Sequence, residues 1–307
     1  MTHTVTFPGL GLELTLDRVA FSVLGHPIYW YGIIIAGGFL LAVWFCQRRA
    51  RSFGIEPDSI IDMLLYAVPL AILGARLYYI IFYLDLYRTP GGGLDWMAMV
   101  RIWDGGLAIY GGVIAALVTL YVFCRKRGIH FGAFADLGVQ GLLIGQTVGR
   151  WGNFVNVEAY GAATDLPWHM GVLTAQGYQE VHPTFLYESL WNLVGLVLLV
   201  VIAKRWRRFD GQLLLTYILW YGLGRTWIEG LRTDSLYFFG IQLFGVPIRT
   251  SQALAALSAL AALGLLIYHL AIKKHGPEEL YANRVKHMEV TEHDDFGRQD
   301  AGGQNQG

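Results

Sequence analysis

Seven times between residues 27 and 272 the chain runs through a long apolar stretch: 27–45, 60–84, 107–124, 134–148, 184–203, 213–228 and 251–272. These runs constrain the fold more than any other feature. About 20 apolar residues are what a helix needs to cross hydrocarbon, and a span must satisfy its own backbone as a helix does. Composition agrees: of 307 residues, 54% are hydrophobic and 15% charged, with a mean hydropathy of +0.42. An ordinary soluble domain is excluded. The expected fold class is an all-α polytopic membrane protein with seven transmembrane helices. Formal net charge is zero, so bulk charge implies no nucleic-acid partner.

The placement of charge is more informative than its sum. Basic clusters follow the first, third, fifth and seventh runs: Arg48-Arg49 with Arg51, Arg125-Lys126-Arg127, Lys204-Arg205 with Arg207-Arg208, and Lys273-Lys274. All four fall on one side, which the positive-inside rule makes cytoplasmic. The N-terminus and the segment after the fourth run are then outside, and the C-terminus is cytoplasmic. The start of the chain lacks the basic region and cleavage site of a signal peptide, so the first run is expected to act as its own insertion signal. Cys46 and Cys124, beside basic clusters, read as small buried hydrophobes in a reducing setting, without metal-ligand spacing. In residues 1–26 the alternation of Leu12, Leu14 and Leu16 fits either a short strand or an amphipathic surface segment. Residues 151–182, polar and turn-rich, are expected to form a small extracytoplasmic cap. The tail, 275–307, is charged and polar and is expected to be disordered.

Against this apolar background one cluster stands out, Gly149-Arg150-Trp151-Gly152-Asn153-Phe154-Val155-Asn156-Val157-Glu158-Ala159-Tyr160-Gly161. Charge at the end of a span is costly and is usually paired or functional. The glycines would let backbone approach a ligand, and Arg150 offers a planar fork of donors suited to phosphate. The alternative is an interfacial loop in which Arg150 and Glu158 simply pair. Arg76, inside the second run, is expected to serve function. Arg225 and Glu229, four apart, read as a structural ion pair. Arg232 lies just past them, free to face a headgroup. Glu188 and Asn192 share one polar stripe of their helix, and His182 reads as a hydrogen-bonded interfacial residue rather than a metal ligand. No inverted repeat of the transporter kind is present.

The run G-R-x-G-N-F-x-N-x-E-x-x-G resembles the signature of the bacterial prolipoprotein diacylglyceryl transferase family. Further pieces are similar to that family: Tyr29-Trp30-Tyr31-Gly32, Gly74-Ala75-Arg76, Asp104-Gly105-Gly106, Tyr110-Gly111-Gly112, His182-Pro183-Thr184, Leu186-Tyr187-Glu188 and Gly230-Leu231-Arg232. The resemblance covers the chain to about Lys274 and makes 1–274 a transmembrane catalytic domain of the bacterial inner membrane. It implies transfer of a diacylglyceryl group from phosphatidylglycerol to the lipobox cysteine beside a prolipoprotein signal peptide, forming a thioether and releasing glycerol phosphate. No metal or other cofactor is implied. Arg150, Arg232, Tyr110 and Glu158 are the catalytic candidates, and Tyr31, Arg76, Asn153, Gly161 and His182 the substrate-binding ones. Some members carry histidine where this chain has Tyr110, which leaves the proton acceptor open. Tyr110, whose phenol carries a hydroxyl hydrogen, is expected to donate a hydrogen bond, with Gly111-Gly112 leaving room for the lipid. Glu158 or His182 would take the thiol proton. The competing reading is a non-catalytic carrier or flippase that moves an anionic lipid on the same arginines.

Overall fold

A computed structural model describes residues 2–89, 91–174, 177–231, 237–243 and 246–288, with backbone alone at 237–243 and 246–251. Strands β1 (Thr2–Phe7), β2 (Leu12–Asp17), β3 (Val19–Val23) and β4 (His26–Tyr29) precede helices α1 (Trp30–Ala50), α2 (Asp58–Phe82), the short α3 (Trp96–Val100), α4 (Ile109–Arg127) and α5 (Phe131–Asn156). The hairpin β5 (Met170–Thr174) and β6 (Gly177–Val181) leads to α6 (Thr184–Arg205) and α7 (Gln212–Leu231). The hairpin β7 (Tyr237–Leu243) and β8 (Val246–Arg249) leads to α8 (Thr250–Ile267), which continues as a π-helix to Lys273.

The seven apolar runs each fall on one of the long helices. Among the described residues, five of these (α1, α2, α4, α6 and α8) are long and apolar enough to cross a membrane. The chain is thus a helical membrane protein. Helices α5 and α7 are of similar length but more polar, and α5 in particular is shielded by its neighbours. It packs against α1, α4, α6 and α7, and its Asp136 and Gln140 are fully buried.

Small residues let these helices approach closely, as expected where apolar lipid gives no hydrophobic drive between them. Gly141 of α5 receives Cys46 and Ala42 of α1, and Gly38 of α1 receives Val148. Gly74 of α2 and Gly111 of α4 abut backbone to backbone, so a Cβ on either would overlap the other's carbonyl.

The basic ends of the helices gather at one end of the bundle. There Asp136 accepts from the backbone N–H groups of Gly211 (3.0 Å) and Leu214 (2.9 Å), capping α7 from the side. Arg207 lies 3.5 Å from Asp136 and 2.6 Å from Asp210, with its guanidinium 4.2 Å over the Phe53 ring. Beyond α8 the chain returns to this end. Asp210 also accepts from the Tyr281 N–H at 2.8 Å, and the Tyr281 hydroxyl donates to Gly128. Leu280 and Ala282 are buried, and burial raises the Tyr281 phenol above its ordinary pKa. Disorder expected from 275 onward therefore does not hold for 277–288, where a 3₁₀ turn and the helix 281–288 dock on the bundle. Polar composition concealed three anchoring side chains. Residues 289–307 lie outside the described residues.

At the other end, β1 pairs with both β2 and β5 to give an antiparallel sheet in the order β2-β1-β5-β6. The Leu12–Leu16 alternation is a strand, and the N-terminal hairpin and the segment after α5 form one unit. Val5, Val172 and Val181 of this sheet pack with Phe154 and Phe185, which seats it on α5 and α6.

Candidate active site

Helix α5 does not stop at the end of its apolar run. It continues through Asn156, so most of the Arg150 motif is helical rather than a loop. This places Arg150 on a face shared with α6 and α7. Arg150 Nη2 pairs with Glu188 Oε2. The other Glu188 oxygen is 3.9 Å from Arg225 Nη1, and Arg225 Nη2 is 2.7 Å from Glu229 Oε2, the expected i,i+4 pair. The carboxylate side chains are 8% and 5% exposed, the arginines 23% and 22%. A buried carboxylate needs a partner, and here each has one, while the arginines are the more exposed members of the pairs. Asn192, on the Glu188 stripe, is buried as well.

Past Asn156 the chain turns back on the helix. Val157 is left-handed at φ 52° and Ala159 at φ 56°. Glycine is usual at such a position, and a β-branched residue there is strained by roughly 1–2 kcal/mol. The turn carries the Glu158 carboxylate onto the side-chain amides of Asn153 (2.8 Å) and Asn156 (3.5 Å). Asn153 Oδ1 in turn accepts from Arg150 Nη1 at 3.4 Å. Arg150, Asn153 and Glu158 are therefore one connected chain. The simple Arg150–Glu158 pair does not form, because Glu188 takes the arginine.

The glycines of the motif allow close packing within the protein. A Cβ on Gly152 would stand 2.7 Å from the Tyr31 ring, and one on Gly149 would stand 3.3 Å from Ile35, both of α1. Gly161 has no positive φ, and its missing Cβ would meet His182 Cβ at 2.7 Å and the Leu231 carbonyl at 3.0 Å. Its N–H donates to the His182 carbonyl at 2.9 Å. Gly161 is thus a chain crossing between the motif, the start of α6 and the end of α7. His182 itself lies at the head of α6, with Nδ1 3.3 Å from the Tyr187 hydroxyl.

Two further expectations change. The Arg76 guanidinium is turned to main-chain carbonyls. Nε donates to Met99 O (2.9 Å), Nη1 to the carbonyls of Gly105 (2.5 Å) and Gly106 (2.8 Å), and Nη2 to those of Ala98 (2.7 Å) and Arg101 (3.1 Å). All five donors are occupied, and the residue is buried. It fastens the segment 98–106 to α2. Tyr110 opens α4 with a half-exposed ring 6.5 Å from that of Tyr78. The space beside Gly111 and Gly112 belongs to α2 rather than to lipid. Arg232 lies outside the described residues. What the residue pattern missed is Glu188 as the partner of Arg150: its place on a polar stripe was visible, but the helix it faced was not.

The family model described as prolipoprotein diacylglyceryl transferase matches residues 18–268. Similar proteins named phosphatidylglycerol–prolipoprotein diacylglyceryl transferase include that of Finegoldia magna, 45% identical over 228 residues, 74% of this chain and 88% of that one. The Bacillus cereus protein is 43% identical over 256 residues, covering 80% and 89%. The Streptococcus pneumoniae protein is 43% identical over 267 residues, covering 85% and 97%. The matched segment begins just before β3 and runs into the π-helix after α8, taking in the Arg150–Glu188–Arg225 cluster. On that breadth of likeness, the chain belongs to the prolipoprotein diacylglyceryl transferase family.

Proposed function

We propose that this protein transfers the diacylglyceryl group of phosphatidylglycerol to the lipobox cysteine thiol of prolipoproteins, the first step of lipoprotein maturation. The observation that carries the reading is Arg150, held by Glu188 at the end of a buried helix and joined through Asn153 to Glu158. The cysteine sulfur attacks the glycerol carbon that bears the phosphate. The S–C bond forms as the C–O bond breaks, glycerol phosphate leaves with the electron pair, and the thiol proton passes to a base. Guanidinium beside the leaving phosphate stabilises its growing charge in a low-dielectric site and favours the thiolate.

In this reading Arg150 and Arg232 face the phosphate. Glu158, exposed at the α5 terminus, accepts the thiol proton. Tyr110 donates its hydroxyl hydrogen to a lipid oxygen, and Tyr31, Asn153 and His182 flank the lipid. Gly161 keeps the turn in place.

All seven long helices span the membrane in this arrangement, with the basic end cytoplasmic and the sheet outside. Helix α5, 26 residues long, measures about 39 Å at 1.5 Å per residue, against roughly 30 Å of hydrocarbon. Its terminal motif therefore reaches the outer interface, where a headgroup lies.

Purified protein in phosphatidylglycerol nanodiscs, given a lipobox peptide, tests this directly. The peptide should gain the mass of a diacylglyceryl group while glycerol phosphate appears in equal amount, and a peptide with serine for cysteine should stay unmodified. Lipid moved between leaflets with no peptide modified would be the behaviour of a carrier and would sink the reading.

A further inference from the structure

The first turn of α6 carries two neighbouring side chains with different partners. Glu188 holds Arg150. Tyr187, which has no part in the scheme above, sets its hydroxyl 3.3 Å from His182 Nδ1. The same hydroxyl accepts the indole N–H of Trp168 at 2.8 Å. Trp168 comes from the segment between α5 and β5, and the Tyr187 ring leans on Trp227 of α7 with centroids 6.2 Å apart. The phenol is therefore held between the cap and the bundle.

His182 is fixed by its main chain as well. Its N–H donates to the Ala162 carbonyl at 3.0 Å, and its own carbonyl accepts from the N–H groups of Gly161 and Thr184, both at 2.9 Å. What remains to be set is the ring, and Tyr187 is its one hydrogen-bond partner among the described residues.

A count of hydrogens decides how the ring is set. An indole N–H can only donate, and a phenol has a single hydrogen to give. Trp168 fills one lone pair of the phenol oxygen. Among the described residues, His182 Nδ1 is the one acceptor beside that hydroxyl. A neutral imidazole that accepts at Nδ1 carries its hydrogen on Nε2. Both nitrogens are then committed, and the ring has a donor to offer but no lone pair for a further proton.

We propose that Tyr187, braced by Trp168, is a positioning residue that fixes His182 with its hydrogen on Nε2. His182 is then a neutral donor to the lipid phosphate and not the acceptor of the thiol proton. Its part in turnover rests on the transferase reading; the place of the ring hydrogen does not.

The test is nuclear magnetic resonance of the full chain with isotope-labelled histidine rings, in phosphatidylcholine nanodiscs at about pH 8, above the ordinary imidazole pKa. His182→Gln identifies the signals of this residue among the nine histidines. The expected result is a hydrogen on Nε2 and a bare, hydrogen-bonded Nδ1. Adding phosphatidylglycerol should move the Nε2 signal and leave Nδ1 in place. A hydrogen on Nδ1, or an Nε2 signal indifferent to phosphatidylglycerol, overturns the proposal. Tyr187→Phe keeps the ring and loses the hydroxyl. Its Nδ1 signal should move to that of a nitrogen without a partner. Its KM for phosphatidylglycerol should rise about threefold, the worth of one neutral hydrogen bond, with kcat within about twofold. An unchanged Nδ1 signal or an unchanged KM overturns the proposal. So does a fall in kcat at constant KM, which would put His182 on the side of the thiol. Should Tyr187→Phe fail to fold, Trp168→Phe removes the brace at a position 52% exposed. It should spread the His182 signals over two forms and raise KM about twofold, and wild-type signals or a wild-type KM in this variant overturn the proposal. If the wild type transfers nothing, the reading above falls, while the ring signals with and without phosphatidylglycerol still decide this one.

Discussion

Removing the Arg76 side chain would strand five main-chain carbonyls between Ala98 and Gly106 at once. Each buried acceptor left without a donor costs about 1–3 kcal/mol, partly relieved where water can enter. Lysine supplies at most three donors. Arg76→Lys should therefore lower the melting temperature or the yield of folded protein, while KM for lipid per folded molecule stays within about threefold of wild type. A variant with unaltered melting and a tenfold higher KM would restore the phosphate-binding reading of this residue. That the sequence does not reveal these contacts has a physical source. A mid-run arginine looks the same whether it awaits a ligand or caps its own backbone, and main-chain acceptors leave no mark in the residue pattern. The Arg225–Glu229 pair was readable because i,i+4 geometry is local. The Glu188 link to Arg150 was not, since it depends on how two helices face each other.

Between helices, the contacts made by glycine separate substitutions that look equivalent on paper. A Cβ on Gly111 would press into the backbone of Gly74, which cannot yield as a side chain can, whereas a Cβ on Gly37 meets nothing within 4 Å. Gly111→Ala should cost about 1–3 kcal/mol of stability and push α4 off α2, as overpacking does. Gly37→Ala should be neutral or slightly stabilising through better helix propensity. Thermal melting in a single detergent compares the two, and equal melting temperatures would contradict this helix pairing. The helices themselves were plain in the sequence because apolar runs are local. Where α5 ends was not plain: Arg150, Asn153 and Asn156 look like loop residues when hydropathy is the only guide, yet they continue the helix because α6, α7 and the Phe154–Phe185 contact shelter that turn. The docking of 277–288 was hidden for a related reason. Three side chains, Leu280, Tyr281 and Ala282, are too few to form a pattern.

Across the whole molecule, four basic clusters and the docked C-terminal segment share one end, and the sheet with the motif turn occupies the other. Single cysteines introduced at Lys126 and at Thr15, in a chain whose own two cysteines are replaced, should label with an impermeant reagent from opposite sides, Thr15 from outside. Labelling of both from one side would overturn the orientation. The most direct measurement concerns Arg150, whose guanidinium is proposed to face the phosphate. Arg150→Lys keeps the pairing charge for Glu188 and loses the planar fork. Transfer from phosphatidylglycerol to the lipobox peptide should fall at least about a hundredfold in kcat/KM, as removal of one transition-state donor does, with melting temperature and retained lipid close to wild type. A folded Arg150→Lys protein that transfers within about twofold of wild type would contradict the account.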